Sequence, residues 1–496
     1  MSASLDDTTG SPSATGLRGS LVVVAGAIVV GLPTVLAFLS GGYFATGRAW
    51  GLIAAWLAFL LVAIAAPRPI PRAAPGALVL GGLAWLTVFT ALSLGRAPLL
   101  DPAVDDLARL LLYVPYTATA IAVFDRADLR RWATPGLLIG TVIVCGYALA
   151  GRLVPTVVTQ TIDPAASGRL DQPITYWNAM GIVAAIGIVL AASLCSDRRR
   201  SLSCRTLAFA CSPLLAMTLA FTLSRGGIVA AVAGLLVLIV CCRSKASAMA
   251  CALVAISGLL AAALALSFGP LREQTGTVSD RANDGLVLLL LLVAVTVASA
   301  LAARYLERYR DRDLSGPATT TAAIVLVVVV VVGFALTAWG STTSSATAPT
   351  ANGASPSRLA SVRSSRSAYW SVAVNSFISS PLIGKGPASF RVEWRRERPF
   401  PEAAKDAHSL YLETLAELGL VGFLGLLSLL GGAVVASMRA VRVDRRLASG
   451  PAAVLAAWAV HAGLEWDWEM PAVTLIALAS IAVLCSMSLT ASGRQS

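Results

Sequence analysis

Fourteen apolar runs of bilayer-crossing length punctuate this chain, near residues 20–39, 50–66, 76–94, 104–124, 133–151, 173–195, 206–223, 226–242, 248–268, 285–303, 319–339, 410–437, 451–466 and 471–489. No other feature restricts the fold as strongly. Lipid offers no partner for an open backbone N–H or C=O, so each run must cross as a helix. The expectation is an all-α polytopic membrane protein of about 14 transmembrane helices. Of the 496 residues, 57% are apolar and 13% charged, and mean hydropathy is +0.77. Soluble domains carry about 25% charged residues. A soluble globular enzyme, a disordered chain and a disulfide-stapled secreted domain are therefore excluded.

The connections assign the sides. With a cytoplasmic N-terminus the inner loops are PRPIPR, DRADLRR, SDRRRSLSCR, CRSK, RYLERYRDRD and RAVRVDRR, all short and Arg-rich as the positive-inside rule asks. The longer segments 152–172, 268–284 and 340–409 then fall outside. The resulting organisation in a plasma membrane is a cytoplasmic tail (1–19), helices 1–11 (20–339), a long extracytoplasmic loop (340–409), helices 12–14 (410–489) and a second cytoplasmic tail (490–496). The first apolar run is too long for a signal peptide and reads as an uncleaved helix. Lysine occurs only at Lys245, Lys385 and Lys405, so 35 of 38 basic residues are Arg, whose fork suits phosphate. Scattered over short loops, the net charge of +12 is no nucleic-acid footprint. The eight cysteines lie in apolar spans or short basic loops without a CxxC, so neither disulfides nor zinc are indicated.

The long outer segment has its own pattern. Residues 341–357 read as a flexible polar linker. From Leu359 to Phe377 an amphipathic helix is expected. Trp370, Ala373, Val374 and Phe377 form its stripe with Arg363 and Arg366, as in a helix lying on the outer membrane surface. Pro381 ends it, and a Gly384-Lys385-Gly386-Pro387 turn and a charged stretch from Arg391 to Arg398 lead to Asp406-Ala407-His408.

Polar residues at membrane depth are expensive and require a reason. Arg225 sits in a tight hairpin, either snorkelling to headgroups or binding an anion beside N-terminal amides exposed by Gly226 and Gly227. His408 is either a general base or an interfacial histidine that caps locally. Glu413 and Glu417 share a helical face that His408 does not, which points to interhelical packing. His461 and Glu465 share a face in HAGLEWDWE. Interhelical hydrogen bonding explains them more simply than a metal or a proton relay, and the acidic cluster there suits a hydroxylated or cationic acceptor. Arg169, ahead of Tyr176-Trp177-Asn178, is another polar group on the outer side. Asp311-Arg-Asp313 sits in an inner basic loop without a supporting domain and is discounted, and no Walker or dinucleotide motif occurs.

Five stretches carry a resemblance. They are LSRGG at 223–227, RSAYWSVAVNSFISSPLIGKGPASF at 366–390, HSLYLETLAELGLVG at 408–422 and, more loosely, RLDQPITYWNAMG at 169–181 and VHAGLEWDWEMPA at 460–472. With these the chain resembles the O-antigen ligase and polymerase superfamily of integral membrane glycosyltransferases. The resemblance implies a GT-C-like helical fold and an outer-face active site that uses a saccharide carried on undecaprenyl diphosphate. It also implies transfer to an acceptor hydroxyl with inversion, without a metal or other cofactor. Position by position, His408 matches the catalytic histidine, and Arg225 and Arg366 match the two diphosphate-contacting arginines. Arg169, Asn178, Lys385 and Arg391 are further substrate-binding candidates. The implied partners are a lipid-linked oligosaccharide donor, a glycan or other hydroxyl acceptor and the bilayer, but no nucleic acid. Runs ten and eleven look like a helix pair beyond the simpler members. A multi-helix transporter and a non-catalytic scaffold of an envelope-assembly complex are the rival readings. No internal repeat of the kind transporters show is visible.

Overall fold

The computed structural model describes residues 12–65, 74–161, 163–308, 312–328 and 365–492. The PRPIPR connection, the 341–357 linker, Arg363, Asp311 and the end of the eleventh run lie outside these residues. The described elements are helical, in chain order α1 (Pro12–Ala37), α2 (Ala45–Ala65), α3 (Ala74–Ser93), α4 (Leu100–Asp125), α5 (Ala127–Leu153) and α6 (Trp177–Ser196). They continue with α7 (Leu202–Ala210), α8 (Ser212–Thr222), α9 (Arg225–Cys242), α10 (Lys245–Ser267), α11 (Gly269–Glu273), α12 (Val278–Leu306) and α13 (Gly316–Val328). The last five are α14 (Arg366–Ser379), α15 (Phe390–Glu397), α16 (Leu410–Val443), α17 (Arg445–Ala462) and α18 (Pro471–Ser492).

Among the described residues, twelve helices are long and apolar enough to cross a membrane, with α7 and α8 counted together. Two of the expected fourteen runs are not counted among these twelve. The eleventh run is described only as the short apolar helix Gly316–Val328. The thirteenth, α17, is not apolar enough by composition, because Arg445, Arg446, Ser449, Pro451 and His461 lower its hydropathy. Its ends nevertheless lie at opposite ends of the bundle. Asp444, its N-cap, takes a 2.6 Å bond from Arg199, and Arg445 reaches Asp313 at 3.2 Å. At its far end His461 packs against the start of α9. An 18-residue helix spans about 27 Å, enough for the crossing. Small residues let its neighbours close in: an added Cβ on Gly234 of α9 would come within 3.1 Å of the Ala453 carbonyl.

The Arg-rich connections gather at one end. Arg199 bridges Asp197 and Asp444, Arg200 donates to the Arg131 carbonyl, Arg198 and Arg205 face Glu307, and Lys245 N–H donates to the Arg312 carbonyl. The alternation read from the loops thus recurs in space. Helices α6 and α18, apolar all round, are buried all round and form the centre, as that pattern demands. Helix α12 lies at the rim with most of its apolar side chains outward.

Helix α14 begins at Arg366, and its buried face differs from the expected stripe. Tyr369, Val372, Ala373 and Ser376 face inward, while Val374 is exposed. They pack on Phe390 and Trp394 of α15 and Ala416 of α16, so protein neighbours rather than the Trp370 stripe set the rotation. Beyond α14 the glycine turn docks into a break in α16. Gly419 stands at φ 62, ψ −165, a region open essentially only to glycine. The opened backbone is paired by the turn: Lys385 and Gly386 N–H donate to the Ala416 and Glu417 carbonyls, and Leu420 and Val421 N–H donate to those of Pro381 and Leu382. The Glu417 carboxylate accepts the N–H groups of Ala388 and Phe390, both at 3.0 Å. The expected packing role of Glu417 is therefore met by main-chain donors. A Cβ at Gly419 would lie 2.5 Å from the Leu382 carbonyl. Gly419→Ala is expected to destabilise the protein by about 1–3 kcal/mol, seen as a lower melting temperature in detergent.

Candidate active site

At the bundle end opposite the Arg-rich connections, the starts of α6, α9, α14 and α16 meet the α17–α18 connection. Helix α9 starts where α8 stops: Leu223 turns left-handed at φ 50, and the Ser224 hydroxyl caps α9 by accepting Gly227 N–H at 3.1 Å. That cap takes up the Gly227 amide, one of the two expected to be exposed. Both glycines are buried for close packing. A Cβ on Gly227 would meet the Gly181 backbone at 3.0 Å, and one on Gly226 would meet His461 Nε2 at 3.0 Å. Arg225, the first residue of α9, is half-buried at this junction.

Arg366 opens α14 and pairs with Glu465, whose side chain is only 1% exposed. The same carboxylate accepts from the Tyr176 hydroxyl at 2.6 Å and from Asn178 Nδ2 at 2.7 Å. Asn178, a substrate-binding candidate, thus orients the partner of Arg366. Burial holds the Arg366 guanidinium below its ordinary range; Tyr176 opposes that, and the like charge of Arg225 adds to it.

His408 precedes α16 in the left-handed region at φ 53, a conformation costing roughly 1–3 kcal/mol for a non-glycine residue. Its ring stacks on Tyr369 (4.9 Å between centroids, 26°) and meets the edge of Trp466 at 6.4 Å. Tyr369 belongs to the first turn of the Arg366 helix, and Trp466 lies 4.3 Å from Tyr176, so these rings tie the imidazole to the arginine pair. His408 Nδ1 lies 3.0 Å from the Asp406 carbonyl. A carbonyl only accepts, so Nδ1 carries the proton and Nε2 of the neutral ring is the acceptor. Burial lowers its pKa to about 4 and the Arg366 charge reinforces that, against the raising effect of the Asp406 carbonyl.

His461 and Glu465 do not act as a pair, which corrects the shared-face reading. Helix α17 ends at Ala462, so the spacing stops being helical before Glu465. His461 Nδ1 instead meets Asp467 Oδ2 at 2.6 Å, both fully buried. Among the described residues no group of three His, Cys, Asp or Glu side chains is arranged to hold a metal ion.

The remaining candidates divide. Arg169 is buried with its guanidinium 3.6 Å from the Trp177 ring. Lys385 is held through its main chain in the glycine turn. Arg391 belongs to a second polar group with Asp406, whose carboxyl burial raises and Arg391 pulls back down. There Arg109 pairs with Asp106 and with Glu469 at 3.6 Å, and Glu413 accepts Ala407 N–H at 2.7 Å just ahead of His408. For Glu465, what residue spacing missed is its partner Arg366. The one signal was a carboxylate in a Trp-rich connection between two apolar runs. Glu465→Ala is expected to strip a largely buried guanidinium of its counter-ion and cost about 3 kcal/mol. Glu465→Gln, which still bonds Tyr176 and Asn178, should recover part of the lost melting temperature.

The class defined by fold and site is a polytopic helical membrane protein with a histidine and two arginines converging at one end. Residues 285–427 match the family model of the O-antigen ligase. This match supports an O-antigen ligase/polymerase family and glycan transfer of that type. Arg366 and His408 fall inside the matched stretch and Arg225 before it. No curated protein matches the chain.

Proposed function

We propose that the protein transfers or polymerises a glycan from an undecaprenyl-diphosphate-linked donor onto an acceptor hydroxyl at the outer face of the plasma membrane. The observation that carries the reading is the gathering at one end of the bundle of Arg366, held by Glu465, of Arg225 at the start of α9 and of a neutral imidazole whose Nε2 is an acceptor. A diphosphate suits these guanidinium groups. It also acquires negative charge as the glycosidic bond breaks, and preorganised guanidinium donors stabilise that charge better than water does.

In this mechanism the acceptor oxygen attacks the anomeric carbon from the face opposite the diphosphate, which inverts the configuration. His408 Nε2 takes the acceptor proton. The carbon–oxygen bond to phosphorus breaks, and the lipid diphosphate departs with the electron pair against Arg225 and Arg366. Glu465 keeps Arg366 oriented through the cycle, and no step calls for a metal. An apolar groove of about 120 Å³, lined by Leu219, Leu223, Ile228, Leu235, Leu259 and Leu266, suits a short stretch of the lipid tail. The positive-inside rule favours a cytoplasmic Arg-rich end, and in that orientation both termini are cytoplasmic and the site faces outward.

Reconstitution with a defined lipid-linked oligosaccharide tests this. A ladder of products marks a polymerase and a single transferred product marks a ligase. Complete recovery of unreacted donor in the presence of acceptor glycan overturns the reading.

A further inference from the structure

Two connections at the site end, 152–172 and 268–284, meet around a polar cavity of about 170 Å³. Its wall includes Arg152, Gln160, Arg169, Asp171, Gln172 and Arg281. A cavity of about 150 Å³ holds a benzene ring, so this slightly larger one has room for one compact ring, and a wall of guanidinium, amide and carboxylate groups calls for a ring bearing hydroxyls.

Most of this wall is braced by the protein. Arg152, buried at the end of α5, donates to the carbonyls of Gly168 at 2.8 Å and Leu271 at 2.6 Å, tying the two connections together. Gln160 Nε2 donates to the Tyr147 carbonyl at 2.8 Å, and Arg281 Nη1 to Gln274 Oε1 at 3.1 Å. Three buried atoms on this wall have no hydrogen-bond partner: Arg152 Nε, Arg281 Nε and Asp171 Oδ2, the last on a residue only 5% exposed. A buried carboxylate oxygen left without a donor is costly, and such a group in a native structure requires a reason. Burial pushes its carboxyl up to about 6, which still leaves it mostly ionised at neutral pH. The cavity also adjoins the active site. Arg169, on its wall, stacks on Trp177, whose ring lies 4.9 Å from Tyr176, the residue that holds Glu465.

We infer that this cavity binds one hydroxyl-bearing hexose ring of a glycan, with Asp171 accepting hydrogen bonds from its hydroxyls and the Gln160 and Gln172 amides on the same wall. The inference rests on the glycan-transfer reading and extends it: the cavity selects which sugar can sit alongside the reacting pair. The ring belongs either to the donor glycan or to the acceptor, and both offer the same hydroxyl chemistry.

The test uses the full chain in detergent and saturation-transfer NMR with methyl glycosides of glucose, galactose, mannose and N-acetylglucosamine. At least one glycoside is expected to receive saturation, with Asp171→Ala weakening it about ten-fold, the loss of a hydrogen bond to a charged group. Gln172→Ala serves if Asp171→Ala fails to fold. In transfer assays the same variants should raise one KM while kcat holds. A raised donor KM places the ring on the donor, and a raised acceptor KM places it on the acceptor. The inference falls if no glycoside binds the wild type, or if folded variants keep wild-type binding and both KM values. Glycoside binding without any transfer would instead leave the cavity standing and remove the transfer reading.

Discussion

His408→Ala is expected to lower kcat for glycan transfer by about 10²- to 10⁴-fold, the usual contribution of a positioned general base, while the protein still inserts and still binds lipid-linked donor. The argument runs through the tautomer. The Asp406 carbonyl, 3.0 Å from Nδ1, fixes the proton there and gives Nε2 its lone pair, and the Tyr369 stack fixes the ring plane. The variant removes the proton acceptor but leaves the Arg366–Glu465 pair and Arg225 in place. The titration of His408 sets the acid limb. Burial holds its pKa at about 4, below the ordinary 6.5, so the ring stays neutral as pH falls through the usual histidine range. The acid limb of kcat/KM, which reports the free enzyme, should therefore lie near 4. The linkage has the corresponding sign: the unfolded chain binds a proton that the folded one refuses between about 6.5 and 4, so stability falls as pH drops through that window. A His408→Ala protein that elongates or ligates glycan at the normal rate removes the base assignment, and an acid limb near 6.5 removes the burial argument.

The bundle was legible in the sequence because lipid enforces a simple rule: apolar runs alternate with connections whose arginines stay on one side. Arg199, Arg200, Lys245 and Arg445 gather at one end accordingly. Helix α17 shows where hydropathy stops being informative. Its Arg445-Arg446 start, Ser449, Pro451 and His461 lower its apolarity, yet α9, α6 and α18 surround it, so it answers to protein packing rather than to lipid. At the site, Arg225 and His408 stood out as polar groups flanking an apolar run, and Arg366 as part of the stripe of an expected amphipathic helix. Their partners did not. The contact of Glu465 with Arg366 joins residues far apart in the chain, and helical spacing from His461 misassigned it because the helix stops at Ala462. Likewise the rotation of α14 follows Phe390 and Trp394, which amphipathic spacing within α14 cannot register.

Arg366→Lys and Arg225→Lys are each expected to cut turnover by one to two decades, although both keep the positive charge. A guanidinium offers a planar fork that grips two phosphate oxygens, whereas an ammonium is a point charge on a flexible stem. A charge-assisted hydrogen bond contributes about 1.5–3 kcal/mol, and each 1.36 kcal/mol at the transition state is tenfold in rate. The Arg366 variant separates stability from catalysis. Lysine can still neutralise Glu465, which remains held by Tyr176 and Asn178, so the melting temperature should stay near that of wild type while turnover collapses. Because Arg225 and Arg366 would share one diphosphate, their effects should not add. Once one fork is gone the diphosphate is already misplaced, and the double variant should lose less than the product of the two single losses. Near-normal turnover in either lysine variant would mean that charge alone suffices. Fully multiplicative losses would place the two arginines on separate ligands, and the single lipid diphosphate between them would have to be given up.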